Sequence, residues 1–219
     1  MPVNRRASPP ARKPERRRRR SRKHTPVPFT PVGDVERVLS LDSSSKACGW
    51  AVFDNGELVE YGHFRQSGEG HGERLANFAS WLAQMFQDWQ PTRVIYEAPY
   101  QGRMRNTYGI LSRYVGVIEA VHFSWSGREF EKEEAVPAHL VKKAIGAQKG
   151  KNHEHNKKIV LLLVNKRFGL NLRFKGNDVT KKVTQDDDAD AIALNWAWHR
   201  LYRTGDAMDD GDLELEATA

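Results

Sequence analysis

Val38-Leu39-Ser40-Leu41-Asp42-Ser43-Ser44-Ser45-Lys46-Ala47-Cys48-Gly49-Trp50-Ala51-Val52-Phe53-Asp54-Asn55-Gly56 is the stretch on which the fold turns. Val38 to Asp42 is β-rich, and successive side chains of an extended chain fall on opposite faces. Gly49 to Phe53 reads as a second strand. Asp54-Asn55-Gly56 is a tight hairpin signal, because Asn and Gly accept the positive φ of such turns. Leu58 to Arg65 then reads as a third strand. Links this short between successive strands predict an antiparallel meander, with an acid, Asp42, closing its first strand.

Outward from the meander the pattern changes period. Gly70 to Trp89 has helical spacing, with Leu75, Phe78, Ala79, Leu82, Met85 and Phe86 on one face and Pro91 beyond its end. Thr92 to Tyr96 is a short buried-type strand that ends in Glu97. Thr107 to Phe123 reads as a helix, Phe130 to Val136 as a strand, and Pro137 to Ile145 as a short helix with proline at its start. His155 to Phe168 is a helix with Ile159, Leu162, Leu163 and Phe168 apolar. Asp186 to Leu201 is another, with Ile192, Ala193, Trp196 and Ala197 facing inward. The order predicts an α/β fold: a mixed five-stranded sheet, antiparallel meander plus parallel strands, flanked by helices.

The 219 residues suit one domain with additional tails. The formal charge of +7 is unevenly placed. Residues 1–23 hold 11 Lys/Arg, five of them consecutive from Arg16 to Arg20, against one acid. Residues 1–33 therefore read as a disordered basic arm, 34–203 as the folded domain, and 204–219, with six acids and no base, as a disordered acidic tail. The arm suits phosphate contact through counterion release, or serves solubility or targeting. A single cysteine, Cys48, excludes an internal disulfide and a cysteine-based zinc cluster. No apolar run is long enough to span a membrane, and no apolar leader opens the chain.

Acids stand where core positions or strand ends belong. Asp42 and Glu97 each close an apolar strand, and Asp186-Asp187-Asp188-Ala189-Asp190 opens the last helix. Helix geometry lets Asp190 share a face with Asp187 or Asp186, but not with Asp188. Singly, each acid has an ordinary reading as turn residue, salt-bridge partner or helix N-cap. Together they suggest a carboxylate cluster, which is costly unless a cation neutralises it. Oxygen ligands without His or Cys suit Mg²⁺, with Mn²⁺ as substitute. Two such ions about 4 Å apart can activate water and stabilise a leaving oxygen in phosphodiester cleavage.

Three segments carry a resemblance: Leu41-Asp42-Ser43-Ser44-Ser45-Lys46-Ala47-Cys48-Gly49-Trp50-Ala51-Val52, Tyr96-Glu97-Ala98-Pro99, and Asp187-Asp188-Ala189-Asp190-Ala191-Ile192-Ala193. The pattern resembles the RuvC-type Holliday-junction resolvases, especially phage-borne ones, over roughly residues 36–203. That resemblance implies an RNase H-like fold. It also implies a metal-dependent crossover junction endodeoxyribonuclease with Asp42, Glu97, Asp187 and Asp190 as catalytic acids and ligands of two metal ions. Its last motif, D-x-x-D-A-hydrophobic-A, selects Asp187 over Asp186. The resemblance further implies DNA contacts by Lys142 and Lys157, a base-stacking role for Tyr100, branched DNA as partner, and a homodimer that makes symmetric cuts. The helix from Thr107 to Phe123 is the candidate dimer interface, although core packing produces the same apolar stripe. Lys149 and Lys151, in a basic glycine-containing loop, and Arg103 and Arg105 suit phosphates. Tyr100 and the lysines also have plain readings, as loop anchor and solvated charges. No small-molecule cofactor or membrane is implied. The setting implied is the cytoplasm of a bacterium or phage-infected host, with nuclear or organellar targeting left open by the arm. Ser43 to Ser45 depart from the glycine that usually follows the family's first aspartate.

Rival classes remain distinguishable. A two-domain sugar-kinase or actin-like ATPase needs a second phosphate loop that 219 residues do not supply. A non-catalytic DNA-binding or packaging protein using the arginine arm predicts dispensable acids. A nuclease on RNA–DNA hybrids keeps the acids and changes the substrate.

Overall fold

The computed structural model of the protein describes residues 35–99, 105–147, 153–173 and 185–203. Tyr100, Arg103, Lys149 and Lys151, the basic arm and the acidic tail lie outside these residues. So does the Arg105 side chain, although its backbone opens a helix.

The meander forms as its turn chemistry dictates. Strands β1 (Arg37–Ser43), β2 (Ala47–Asp54) and β3 (Glu57–Arg65) pair antiparallel in succession. Asn55 and Gly56 take positive φ, 51° and 86°, at the turn between β2 and β3. Helix α1 (His71–Trp89) follows, and it stops where Gln90 turns left-handed ahead of Pro91. Strand β4 (Arg93–Ala98) enters beside β1, parallel to it, and β5 (Ala135–Pro137) extends the sheet beyond β4, again parallel. The five-stranded order is β3-β2-β1-β4-β5. The remaining helices are α2 (Arg105–Ser126), α3 (Ala138–Ala144), α4 (His153–Phe168) and α5 (Asp186–Tyr202).

Alternation sorts the side chains onto two faces. On one face Leu39, Leu41, Cys48, Val52, Val94 and Tyr96 pack against Phe78, Leu82 and Phe86 of α1 and Tyr114 and Ile118 of α2. On the other, Val38, Ala51, Phe53, Ile95 and Val136 pack against α3, α4 and α5. The α2 stripe is thus spent partly on the core, through Tyr114, Val115, Ile118 and the buried His122, while Phe123 is exposed. Helix α5 is buried continuously from Ala191 to Trp198, because it lies between the sheet and its neighbouring helices. A single inward stripe of Ile192, Ala193, Trp196 and Ala197 understates that burial.

One expectation needs correction. The strand predicted over Phe130 to Val136 is confined to Ala135–Pro137 and is preceded by a 3₁₀ turn, Lys132–Glu134. The buried Glu134 carboxylate causes this. It accepts from the Glu131 N–H at 2.8 Å, from Arg93 at 2.8 Å and from Arg128 at 2.7 and 2.9 Å. Burial alone would raise its pKa, but these bonds, Arg128 foremost, hold it below the usual carboxylate range. On α4, Val160, Leu161, Leu163 and Val164 are buried and Leu162 faces solvent. Val160, Leu161 and Val164 share one helical face, and Leu162 points away from it.

Candidate active site

The period of the sheet decides which acids meet. Val38, Ser40 and Asp42 occupy the α5 side of β1, and Ile95 and Glu97 occupy the same side of β4. The parallel register runs to Leu41↔Tyr96, so Asp42 and Glu97 stand next to each other at the carboxyl ends of adjacent parallel strands. Open α/β sheets commonly place their ligands at that end. Helix α5, the last among the described residues, closes the site. Ser40 Oγ donates to the Ala191 carbonyl at 2.8 Å and so ties the strand beneath to α5.

Gly49 sets how closely α5 approaches. It pairs with Asp42 across the ladder, and a Cβ built on it would lie 1.9 Å from the Asp187 carbonyl oxygen. Only a residue without a side chain lets the first turn of α5 rest on β2 at this point. Because Asp42 is opposite Gly49, the same close approach brings that turn over the strand-end acids.

The three successive aspartates of that turn then diverge. Asp186 binds Lys157 Nζ from α4. Asp187 faces the cleft. Asp188 is buried and turned the opposite way, towards His63 of β3, at 2.8 Å. Asp190, one turn on from Asp187, also reaches the cleft. The cleft, about 280 Å³, is lined by Asp42, Glu97, Asp187, Asp190, Lys142 and Lys157, together with Ser44 and apolar residues of α3, α4 and α5. Ser44 is held by a tight turn in which its Oγ accepts from the Ala47 N–H at 3.1 Å.

The electrostatics is that of crowded, half-buried like charges. Burial first, and then Asp187, push the Asp42 pKa up to about 6. Glu97 is pushed well above the usual range by burial, Asp42 and Asp190, and Asp190 by burial and Asp42. Asp187 is raised by burial and by Asp186. Lys142 and Lys157 oppose these shifts at Asp42 and Asp190 without cancelling them. Burial pulls the Lys157 ammonium down, but its bond to Asp186 and the surrounding acids outweigh burial and raise it.

Among the described residues, no three His, Cys, Asp or Glu side chains are already set as a closed metal-ligand group. The donor chemistry nevertheless fits a hard divalent cation. Four carboxylates from three elements face one cleft, no thiol or imidazole lines it among the described residues, and their repulsion is left uncancelled by the lysines present.

Of the residues read from sequence, the structure therefore brings together Asp42, Glu97, Asp187, Asp190, Lys142 and Lys157. Sequence reading missed Gly49, Ser40 and His63. A polar Ser40 inside a core strand was a signal for the first contact of α5. No local signal marked His63, whose partner is 125 residues away.

No protein-family model matches the chain, and no curated protein sequence matches it. The fold has solved counterparts. A structure described as Thermus thermophilus RuvC in complex with a Holliday junction substrate superposes with a TM-score of 0.56 at 18% identity, covering 77% of this chain and 96% of that one. A second Thermus thermophilus RuvC structure matches with the same values. The chain has the RNase H-like, RuvC-like fold.

Proposed function

We propose that the protein is a divalent-metal-dependent endonuclease that cuts branched DNA, with four-way junctions as its leading substrate. The observation that carries this reading is the convergence of Asp42, Glu97, Asp187 and Asp190, from β1, β4 and α5, on one cleft that also presents two lysines. The likeness to a junction-bound RuvC supports the choice of substrate.

In this reading the four acids hold Mg²⁺, or Mn²⁺ in its place, as two ions per site. Bound there, the metal supplies Lewis-acid stabilisation and a more acidic water for phosphodiester hydrolysis. Asp42 and Glu97 sit on strand ends, so their carboxylates are fixed by the sheet. Asp187 and Asp190 are fixed by the docking of α5. Lys142 and Lys157 offset the charge of the incoming phosphate, and Lys157 exchanges its Asp186 partner for phosphate oxygen. Tyr100, Arg103, Arg105, Lys149 and Lys151 add further DNA contacts, through base stacking and phosphate pairing. Two symmetric cuts call for a two-fold homodimer, with the outer side of α2 as candidate interface. Such an activity serves recombination, repair or the trimming of branched DNA.

The test compares wild type with Asp42→Asn on a synthetic four-way junction in Mg²⁺, with linear duplex and RNA–DNA hybrid as controls. The expected result is cutting of the junction by wild type only and junction binding by both. Unchanged cleavage by Asp42→Asn refutes the assignment. Preferential cutting of the hybrid by wild type moves the protein to the hybrid-specific class.

A further inference from the structure

The acids of the cleft do not explain why His63 is where it is. Asp42, Gly49 and His63 form one transverse row of the sheet: Asp42 pairs with Gly49, and Gly49 pairs with His63. The first turn of α5 lies on this row. At one end of the row stands the cleft acid Asp42. At the centre the Asp187 carbonyl rests on Gly49. At the far end His63 meets Asp188, the residue that follows Asp187.

The contact has the geometry of an anchor. His63 Nδ1 lies 2.8 Å from Asp188 Oδ1, and an acceptor-only carboxylate makes the imidazole the donor. The Asp188 side chain is 4% exposed, and its second oxygen accepts from Gln185 Nε2 at 3.2 Å. Asp188 is therefore pinned from the strand side and from the residue before the helix. One residue earlier, Asp187 is directed into the cleft, and the two side chains diverge by the helical step of about 100°. Rotation of the turn that released Asp188 would swing Asp187 with it. The Lys157–Asp186 pair restrains the same turn from α4, so His63 and Lys157 hold it from opposite sides.

We propose that His63 is a positioning residue for Asp187. By anchoring Asp188 to β3, it sets the rotation of the first turn of α5 and with it the cation affinity of the cleft. The proposal rests on reading the cleft as a cation site. Partners outside the ligand set typically alter metal affinity by about 10–100-fold when removed.

The experiment uses the full chain and Mn²⁺ alone, titrated by calorimetry without DNA. His63→Phe keeps a ring but deletes the donor, and His63→Asn places an amide N–H near the position of Nδ1. The expected result is Mn²⁺ affinity weakened about tenfold or more in His63→Phe and close to wild type in His63→Asn. Junction binding without divalent metal should be equal in all three proteins. Unchanged Mn²⁺ affinity in His63→Phe overturns the proposal. So does equal weakening in both variants, which marks a general packing role, or lost junction binding with intact Mn²⁺ affinity, which marks a DNA contact. Asp42→Asn runs in parallel. If it abolishes Mn²⁺ binding while His63→Phe leaves it intact, the cleft reading stands and the anchor alone fails. If Asp42→Asn binds Mn²⁺ like wild type, or wild type binds none, the cleft reading fails and takes the anchor with it.

Discussion

Adding one methyl group at Gly49 should disable the site without altering any carboxylate. In Gly49→Ala the new Cβ would lie 1.9 Å from the Asp187 carbonyl oxygen and 2.7 Å from its carbon. A carbon and a carbonyl oxygen rest no closer than about 3.3 Å, so strand and helix must separate by about 1.4 Å. The carbonyl belongs to helix backbone and cannot swing aside as a side-chain tip would. Alanine recovers some chain entropy relative to glycine, about 0.5–1 kcal/mol. Forced overpacking costs about 1–3 kcal/mol, and here the clash is with backbone, so the loss wins and a net destabilisation of about 1–2 kcal/mol is expected. The effect on chemistry should be larger, because a displacement of about 1 Å in a reacting group costs about a hundredfold in rate. Urea unfolding gives the first quantity and single-turnover cleavage of a four-way junction in Mg²⁺ gives the second. A Gly49→Ala protein with wild-type midpoint and wild-type rate would show that α5 does not rest on β2 as described.

Three further outcomes follow from the same structure. His122 is buried against Phe130, and burial together with the Arg128 charge lowers its pKa to about 4. The unfolded chain takes up that proton near pH 6.5, so stability should fall as pH drops from about 6.5 to 4, by up to about 3 kcal/mol, and the difference from a His122→Leu protein in urea midpoints at pH 7, 5.5 and 4 isolates it. Asp42 shifts the other way, to about 6 from 3.8, so the folded state holds its proton more tightly and the metal-free cleft gains stability as pH falls through that window. Asp42→Asn should therefore raise metal-free stability at pH 7 by about 1 kcal/mol, after allowance for solvent screening, and Mn²⁺ should raise the wild-type Tm more at pH 7.5 than at pH 5. Removing residues 1–31, which contain 11 of the 35 Lys/Arg, should weaken DNA binding and flatten its salt dependence, and an unchanged salt slope excludes the arm as a DNA contact.

What the sequence made legible was mostly periodic. Alternation in Val38 to Asp42 and in Arg93 to Glu97 places the strand-end acids, and helical offset narrows the partner of Asp190 to Asp186 or Asp187, because both rules are local; the motif resemblance then selects Asp187. The hairpin at Asn55-Gly56 was equally local. The failures were contacts between distant residues. The segment before β5 tightens into a 3₁₀ turn because Glu134 is satisfied by Arg93, 41 residues earlier, as well as by Arg128. Helix α5 carries too broad an apolar surface for a single stripe because two layers cover it. The use of three adjacent aspartates for three different partners depends on Lys157, on Gly49 and on His63, which come from three separate elements.

The cleft takes two acids from strands near the start of the fold and two from α5, the last helix described. Synthesis from the N-terminus therefore delivers Asp42 and Glu97 long before Asp187 and Asp190. A chain arrested ahead of residue 186 holds half the charge cluster and lacks the lid that crowds it. In the proposed reading, competence to cut requires α5 to be made and docked, through contacts as distant in sequence as Ser40 with Ala191. Incomplete or misfolded copies would be unable to cut DNA, and the wiring of the sheet would itself be the safeguard.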